Sequence, residues 1–272
     1  MNPQRNTNNE AGNPPLLSII TVTLNNATGL GKTLDSITAQ SMKSFEVIVV
    51  DGGSADETPD VVKMHERLVT CWISEPDKGI YDAMNKGISQ ARGKYLNFLN
   101  AGDVYTNAFT LETAFKPENS GSADVIYGDI ILVEESGKKG RLQKARRFNR
   151  KELLKFGTGV VCHQAIFIKR EIAPRYDLQW RFKAELNWYF DILEKHSPLK
   201  TVHVDAPLVI YSTGGFGQVN FWDNQAEWFR LVRQRFGWFA IFRYLLPFRL
   251  LLKLPYRYKF LRWPSHSGLK SH

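Results

Sequence analysis

Only two cysteines, Cys71 and Cys162, occur in the 272 residues, and neither belongs to a CxxC pair. That excludes a disulfide scaffold and a cysteine-built zinc site, and it fits two reduced, buried thiols in a reducing compartment better than one long bridge. HxxH and HExxH spacings are missing as well, so zinc chemistry has no ligand set. Long apolar runs are also lacking. The run from Leu16 to Leu24 is too short to cross a bilayer, and the polar stretch from Met1 to Pro15 has no signal-peptide core, so neither a secretion signal nor a spanning segment is expected. No internal repeat is present. What the chain does have is 43% hydrophobic and 23% charged residues, enough apolar material for one large folded domain with an appendage.

Acidic residues are absent from one region. Residues 228–272 hold ten Lys/Arg and no Asp or Glu, leaving 26 basic against 27 acidic residues before them. The net charge of +9 therefore belongs to a tail on a nearly neutral domain. Twelve aromatics lie between Trp228 and Trp263 in that tail. Lys and Arg can snorkel while aromatic rings sit at headgroup level, so the tail is expected to form one or two helices in a membrane interface, broken near Pro247 and Pro255. An anionic surface is its expected partner. The alternative is that the aromatics pack on the domain and the charges form its solvated face. A second basic run, Gly137 to Lys155, has nine basic residues against Glu152 and reads as a solvated loop leading into a helix.

Between these regions the pattern alternates. Leu16 to Thr23 reads as a buried strand bounded by Pro14-Pro15 and Asn25-Asn26, followed by a helix over about Gly31 to Gln40. Phe45 to Val50 is a second strand, after which Ser54 or Asp56 can cap a helix carrying Glu57 in its first turn. Strands at Val69 to Ser74, Tyr95 to Leu99, Val125 to Val133 and Ala165 to Lys169, with helices at Tyr81 to Ala91 and Ala184 to Lys195, extend the series. Such alternation predicts an α/β fold with a mainly parallel sheet flanked by helices. Ligands of such sheets bind at the carboxyl ends of strands. Here those ends read Thr23-Leu24-Asn25-Asn26, Asp51-Gly52-Gly53-Ser54 and Asn100-Ala101-Gly102-Asp103. Each alone is ordinary turn chemistry; the three together favour a ligand crevice. The segment Gly157-Thr158-Gly159-Val160-Val161-Cys162 mimics half a dinucleotide fingerprint, but its last glycine is missing and a strand follows it.

The blocks LSIITVTLNN, FEVIVVDGGSADET, EPDKGIYDAMNKGISQARGKYLNFLNAGD and CHQAIFIKR resemble the family 2 glycosyltransferases, in order from about Leu16 to Tyr211. The resemblance is greatest to bacterial enzymes of exopolysaccharide, capsule and O-antigen assembly. It implies a GT-A nucleotide-diphospho-sugar transferase fold, a divalent cation (Mg²⁺ or Mn²⁺) and inversion at the anomeric carbon. It implies a catalytic domain at 16–227, between a disordered leader at 1–15 and the tail at 228–272. The expected partners are a nucleotide-sugar donor and a saccharide or polyprenyl-linked acceptor, and the expected place is the cytoplasm, at the inner membrane face.

Site residues carry over by position. Asp51 matches the residue that hydrogen-bonds the base, with Thr23 and Asn25 lining the same end. The segment holding Lys78, Tyr81 and Asp82 would lie over the nucleotide and diphosphate, with Lys78 meeting phosphate charge. Asn85 and Lys86, one turn on, either assist or only cap and solvate the helix. Asn100-Ala101-Gly102-Asp103 occupies the place of the DxD-type metal motif, with Asn and Gly where Asp is common, so Asp103 is the carboxylate expected to reach a metal. Glu185 takes the place of the general base, the longer acid standing for Asp. Asp191, six residues on and about 600° around a helix, faces elsewhere. His163-Gln164 matches a pair near the acceptor or diphosphate. Two other classes compete: a sugar-nucleotide nucleotidyltransferase, which lacks its basic triphosphate loop here, and a nucleic-acid-binding protein using the basic tail.

Overall fold

A computed structural model of the protein describes residues 4–5, 14–116, 121–133, 140–212 and 221–245. In chain order the elements are β1 (Gln4–Arg5), β2 (Leu17–Thr23), α1 (Ala27–Thr38), β3 (Phe45–Asp51), α2 (Thr58–Met64), β4 (Val69–Ser74), α3 (Ile80–Gln90), β5 (Tyr95–Phe98), β6 (Val104–Tyr105), α4 (Thr110–Ala114), β7 (Val125–Val133), β8 (Arg141–Gln143), α5 (Arg150–Phe156), β9 (Ile166–Lys169), α6 (Ala184–Lys195), β10 (Thr201–Ser212) and α7 (Phe221–Ala240). The strands form one sheet in the order β1-β4-β3-β2-β5-β9-β7-β10-β6, with β8 against β7. Pairing is parallel from β4 through β5 and between β7 and β10, and antiparallel elsewhere. The expected α/β class with a mixed, mainly parallel sheet is what forms.

The continuous apolar strands are explained by burial on both faces. In β2, Ile20 and Val22 enter a core with Met84 of α3, Leu186 of α6 and Leu231 of α7. Leu17 and Ile19, pointing the other way, pack with Leu30 and Leu34 of α1 and Val61 of α2. The first helix begins four residues before the expected Gly31, because the Asn26 side chain accepts from Gly29 N at 3.0 Å and caps it.

β10 is a strand that the sequence pattern conceals. Asp205-Ala206-Pro207 interrupts its alternation, and the register against β7 shifts on both sides of Pro207. A proline donates no ladder hydrogen bond, so the bulge accommodates it. Of the leader, Gln4 and Arg5 pair with Trp72 and Cys71 at the sheet edge.

The boundary expected at 227/228 falls inside α7. Trp228, Leu231 and Val232 are buried, as are Ala240, Ile241 and Leu245 beyond a break at Gly237 (φ +71). This first stretch of the tail packs on the domain because half of its aromatic and aliphatic side chains complete the core over α5 and α6. Trp238, Phe239 and Phe242 remain 54–76% exposed. The expected breaks at Pro247 and Pro255 lie outside the described residues.

Candidate active site

The parallel strands β2 and β5 end side by side, and beyond them opens a cavity of about 790 Å³. Its walls come from Thr23, Leu24 and Asn26 after β2, from residues 77–83 at the start of α3, from Asn100 and Ala101 after β5, and from Leu178, Trp180 and Arg181 before α6. Of the expected site residues, Thr23, Lys78, Tyr81 and Asp82 line it. Two of the three expected strand ends, those after β2 and β5, border the cavity, and the Asp51–Ser54 end after β3 does not.

Local hydrogen bonds set these positions. Asp82 Oδ2 accepts from Lys78 N at 3.0 Å and Asp77 Oδ1 from Gly79 N at 2.8 Å, closing the turn into α3. The Tyr81 ring lies 5.2 Å from that of Tyr176, tilted by 35°, and burial raises its hydroxyl pKa, so it stays protonated. Asn85 exchanges two bonds with the Tyr176 backbone, at 2.7 and 2.9 Å, pinning the segment that leads to Arg181. Lys86 pairs with Glu75 at 3.0 Å and with the Pro76 carbonyl at 2.9 Å. Both residues thus hold the cavity wall in place. Two side-chain oxygens of lining residues, Thr23 Oγ1 and Asn100 Oδ1, are buried without a hydrogen-bond partner, an unmet demand next to the cavity wall.

Asp51 is placed differently from expectation. It is fully buried; Oδ1 accepts from Ser54 N at 3.0 Å and Ser54 Oγ at 2.5 Å, and Oδ2 from Ser74 Oγ at 2.7 Å. Its carboxylate closes the turn after β3 and is not on the cavity wall. Asn25 (φ +48) likewise holds loops together: its N–H donates to Ser54 Oγ and its Oδ1 accepts from Ala55 N.

The place of the metal motif is also changed. Asp103 is 6% exposed, and its Oδ2 accepts from Gln164 Nε2 at 2.8 Å. Burial pushes its pKa up to about 6, against the opposing pull of the Gln164 hydrogen bond, the His163 charge and the Ser212 backbone N–H. Gln164 Oε1 in turn accepts from Cys162 Sγ at 2.7 Å. A carboxylate turned inward to an amide is not offered to a diphosphate-bound cation, so Asp103 does not fit the role of metal ligand. Asn100 and Gly102 bring no charge, and among the described residues no three His, Cys, Asp or Glu side chains converge to hold a metal. Gly102 adopts φ +103, where a side chain is strained.

Behind Asn100 lies a chain of polar groups. Asn100 Nδ2 is 3.1 Å from His163 Nε2, and His163 Nδ1 is 3.2 Å from Glu185 Oε2. Glu185 sits in the first turn of α6 with 12% of its side chain exposed. Burial lowers the His163 pKa, but the Glu185 charge and hydrogen bond and the Asp103 charge more than offset it, leaving a net rise. Asp191 lies elsewhere, bonded to Arg235 at 2.8 Å.

Arg181 and Trp180 were missed because the segment 174–183 has no regular structure and no periodic pattern. A signal was nevertheless present in Glu227, an acid just before the all-basic stretch. It is 9% exposed and reaches back from α7 to accept from Arg181 N at 2.9 Å, Phe182 N at 2.5 Å and Lys183 N at 2.7 Å, at the entrance of α6.

Comparison with known proteins identifies the family and the fold. The family model described as Glycosyl transferase family 2 matches residues 18–176. A PGL/p-HBAD biosynthesis glycosyltransferase of Mycobacterium bovis is 40% identical over 189 residues, covering 65% of this chain and 69% of the relative. Among solved structures, the mannosyltransferase PcManGT from Pyrobaculum calidifontis in complex with GDP-Man and Mn²⁺ has a TM-score of 0.60 at 15% identity, covering 92% of this chain and 82% of that one. S. aureus TarS 1-349 has a TM-score of 0.60 at 16% identity, and this chain, 84% of which is covered, spans 66% of its length. At such identity the structural likenesses show the shared GT-A fold.

Proposed function

Since the chain belongs to glycosyl transferase family 2, we propose that it moves a sugar from a nucleoside-diphosphate donor to a saccharide or lipid-linked acceptor, with inversion at the anomeric carbon. The observation that carries this reading is the cavity at the ends of β2 and β5, whose wall brings the polar residues Thr23 and Asn100 together with the cations Lys78 and Arg181. A ligand with hydroxyls, an imide and a diphosphate answers that wall.

In the transfer, the acceptor oxygen attacks the anomeric carbon, and the bond from that carbon to the diphosphate breaks, its electron pair leaving on the nucleoside diphosphate. The acceptor proton goes to Glu185, in the first turn of α6 and held by His163 at 3.2 Å. His163 orients that carboxylate, and Asn100 ties the ring to the cavity wall. Asp103 and Asp51 act one step back, as buried props of the loops.

The acceptor reading rests on the tail. Trp238, Phe239 and Phe242 are exposed at and just beyond the end of α7, in a stretch of sequence with no acidic residue that also holds Arg233 and Arg243. Arg233 lies over the Trp238 ring at 5.7 Å and Trp238 stacks on Phe242 at 6.3 Å. Exposed rings beside guanidinium groups suit an anionic lipid surface, where an enzyme of surface-polysaccharide synthesis would meet a polyprenyl-linked acceptor on the inner leaflet.

The test is a panel of UDP-, GDP- and dTDP-sugars, with binding and slow hydrolysis measured on wild type, Thr23→Val and Glu185→Gln. One nucleotide should be selected, Thr23→Val should weaken it by about tenfold, and Glu185→Gln should bind donor normally while losing transfer. Absence of binding by every donor sinks the proposal.

A further inference from the structure

The fold's usual answer to leaving-group charge is a divalent cation held by acidic residues after the β5 position, and this chain has no carboxylate offered there. Asn100 and Gly102 are neutral, and Asp103 is buried against Gln164. Among the described residues, the two acids that line the cavity, Asp77 and Asp82, accept from the backbone N–H groups of Gly79 and Lys78 in their own turn, and Asp82 is also 4.0 Å from Lys86 Nζ. On the same cavity stand two cations from separate segments: Lys78, exposed before α3, and Arg181, just ahead of α6.

We infer that the donor diphosphate is neutralised by Arg181 and Lys78 rather than by a protein-held metal ion. This rests on the nucleotide-sugar reading above and deepens it. Arg181 suits the task because its planar guanidinium can pair with two phosphate oxygens at once. Its backbone is fixed: the N–H is held by Glu227 Oε1 at 2.9 Å, and the neighbouring Trp180 ring lies 4.8 Å under the Arg230 guanidinium. The guanidinium therefore projects from an anchored segment. Lys78 approaches from the turn that Asp82 and Asp77 close, next to the first turn of α3, where the helix dipole adds favourable potential for an anion. When the glycosidic bond breaks, the extra negative charge on the departing diphosphate meets charges that are already in place, and no cation has to be recruited with the donor.

The experiment is calorimetric binding of UDP, GDP and dTDP to the full chain, first in excess EDTA and then in excess Mn²⁺, with electron paramagnetic resonance of Mn²⁺ recorded alongside. Affinity for the selected nucleotide should agree within about twofold between the two conditions, and nucleotide should immobilise no Mn²⁺. Arg181→Gln and Lys78→Gln should each weaken the diphosphate by about tenfold while changing the matching nucleoside little, and Arg181→Lys should recover part of the loss. Thermal melts check that the variants are folded. Mn²⁺ tightening the nucleotide tenfold, a nucleotide-dependent bound-Mn²⁺ signal, or unchanged affinity in Arg181→Gln each overturns the inference while leaving the transferase reading intact. A lack of nucleotide binding under both conditions overturns the transferase reading and this inference with it.

Discussion

Replacing Glu227 removes the clamp that joins the last described helix to the active-site wall. Its carboxylate, 9% exposed, accepts three backbone N–H groups, those of Arg181, Phe182 and Lys183, at 2.5–2.9 Å. These donors lie at the entrance of α6, where N–H groups have no partner within the helix and where negative charge is favourable. A hydrogen bond to a charged group contributes about 1.5–3 kcal/mol, and removing one partner leaves the others buried without compensation. Three such bonds are not additive, since water can reach some of the freed donors, so Glu227→Ala should cost about 3–5 kcal/mol. Glu227→Gln keeps one acceptor oxygen, which can serve the Phe182 and Lys183 side, and should cost about half as much. Urea unfolding followed by tryptophan fluorescence gives both values. Because the same three residues carry Arg181 into the cavity and start the helix of Glu185, nucleotide affinity should fall in Glu227→Gln under conditions where the protein is fully folded. An Ala variant within 1 kcal/mol of wild type would refute the clamp, and a destabilised Gln variant with normal affinity would separate it from the site.

Arg235 joins α7 to α6 through Asn187, Asp191 and Glu194 at 2.6–2.8 Å with 18% of its side chain exposed; Arg235→Ala should cost about 2–3 kcal/mol in the same unfolding assay, and a loss under about 0.5 would show that the network is inert. The His163 ring should titrate above its ordinary value of 6.5, because burial lowers it but Glu185 and Asp103 raise it more. A raised histidine adds stability that is complete below the unfolded pKa and disappears as pH rises through the folded one. Proton NMR of the ring should show that midpoint falling in Glu185→Gln; a wild-type midpoint at or below 6.5 contradicts the pairing. Trp238, Phe239 and Phe242 together changed to Ala should lower binding to phosphatidylglycerol-containing vesicles by about tenfold or more. Equal binding of wild type to neutral and anionic vesicles would remove the lipid-surface reading.

The apolar runs of β2 and β3 were legible because they are buried on both faces, and β4 because every second residue is buried; all three lie within a residue of where the pattern puts them. Strand ends located the crevice for the same reason: topology alone decides where parallel strands stop. Less legible was which polar side chain at those ends faces the ligand. Asp51 and Thr23 sit side by side in register, Thr23 opposite Asp51, yet one is bound by two serines and the other lines the cavity without a partner. Position along the strand is the same for both, so only the side-chain partners distinguish them. Of those partners Ser54 lies in the turn that follows β3, while Ser74 comes from the end of β4. The same holds for Asp103, whose burial depends on Gln164, 61 residues away. Motif spacing fixes the backbone of a site, whereas the charge it presents is fixed by what packs behind it. That is why a chain can keep the strand-turn geometry of its fold and still present a different charge: the side chains at 100 and 102 are neutral, the acid at 103 is buried against Gln164, and Lys78 and Arg181 line the cavity, which is the ground for the inference that they supply the charge a bound metal otherwise would.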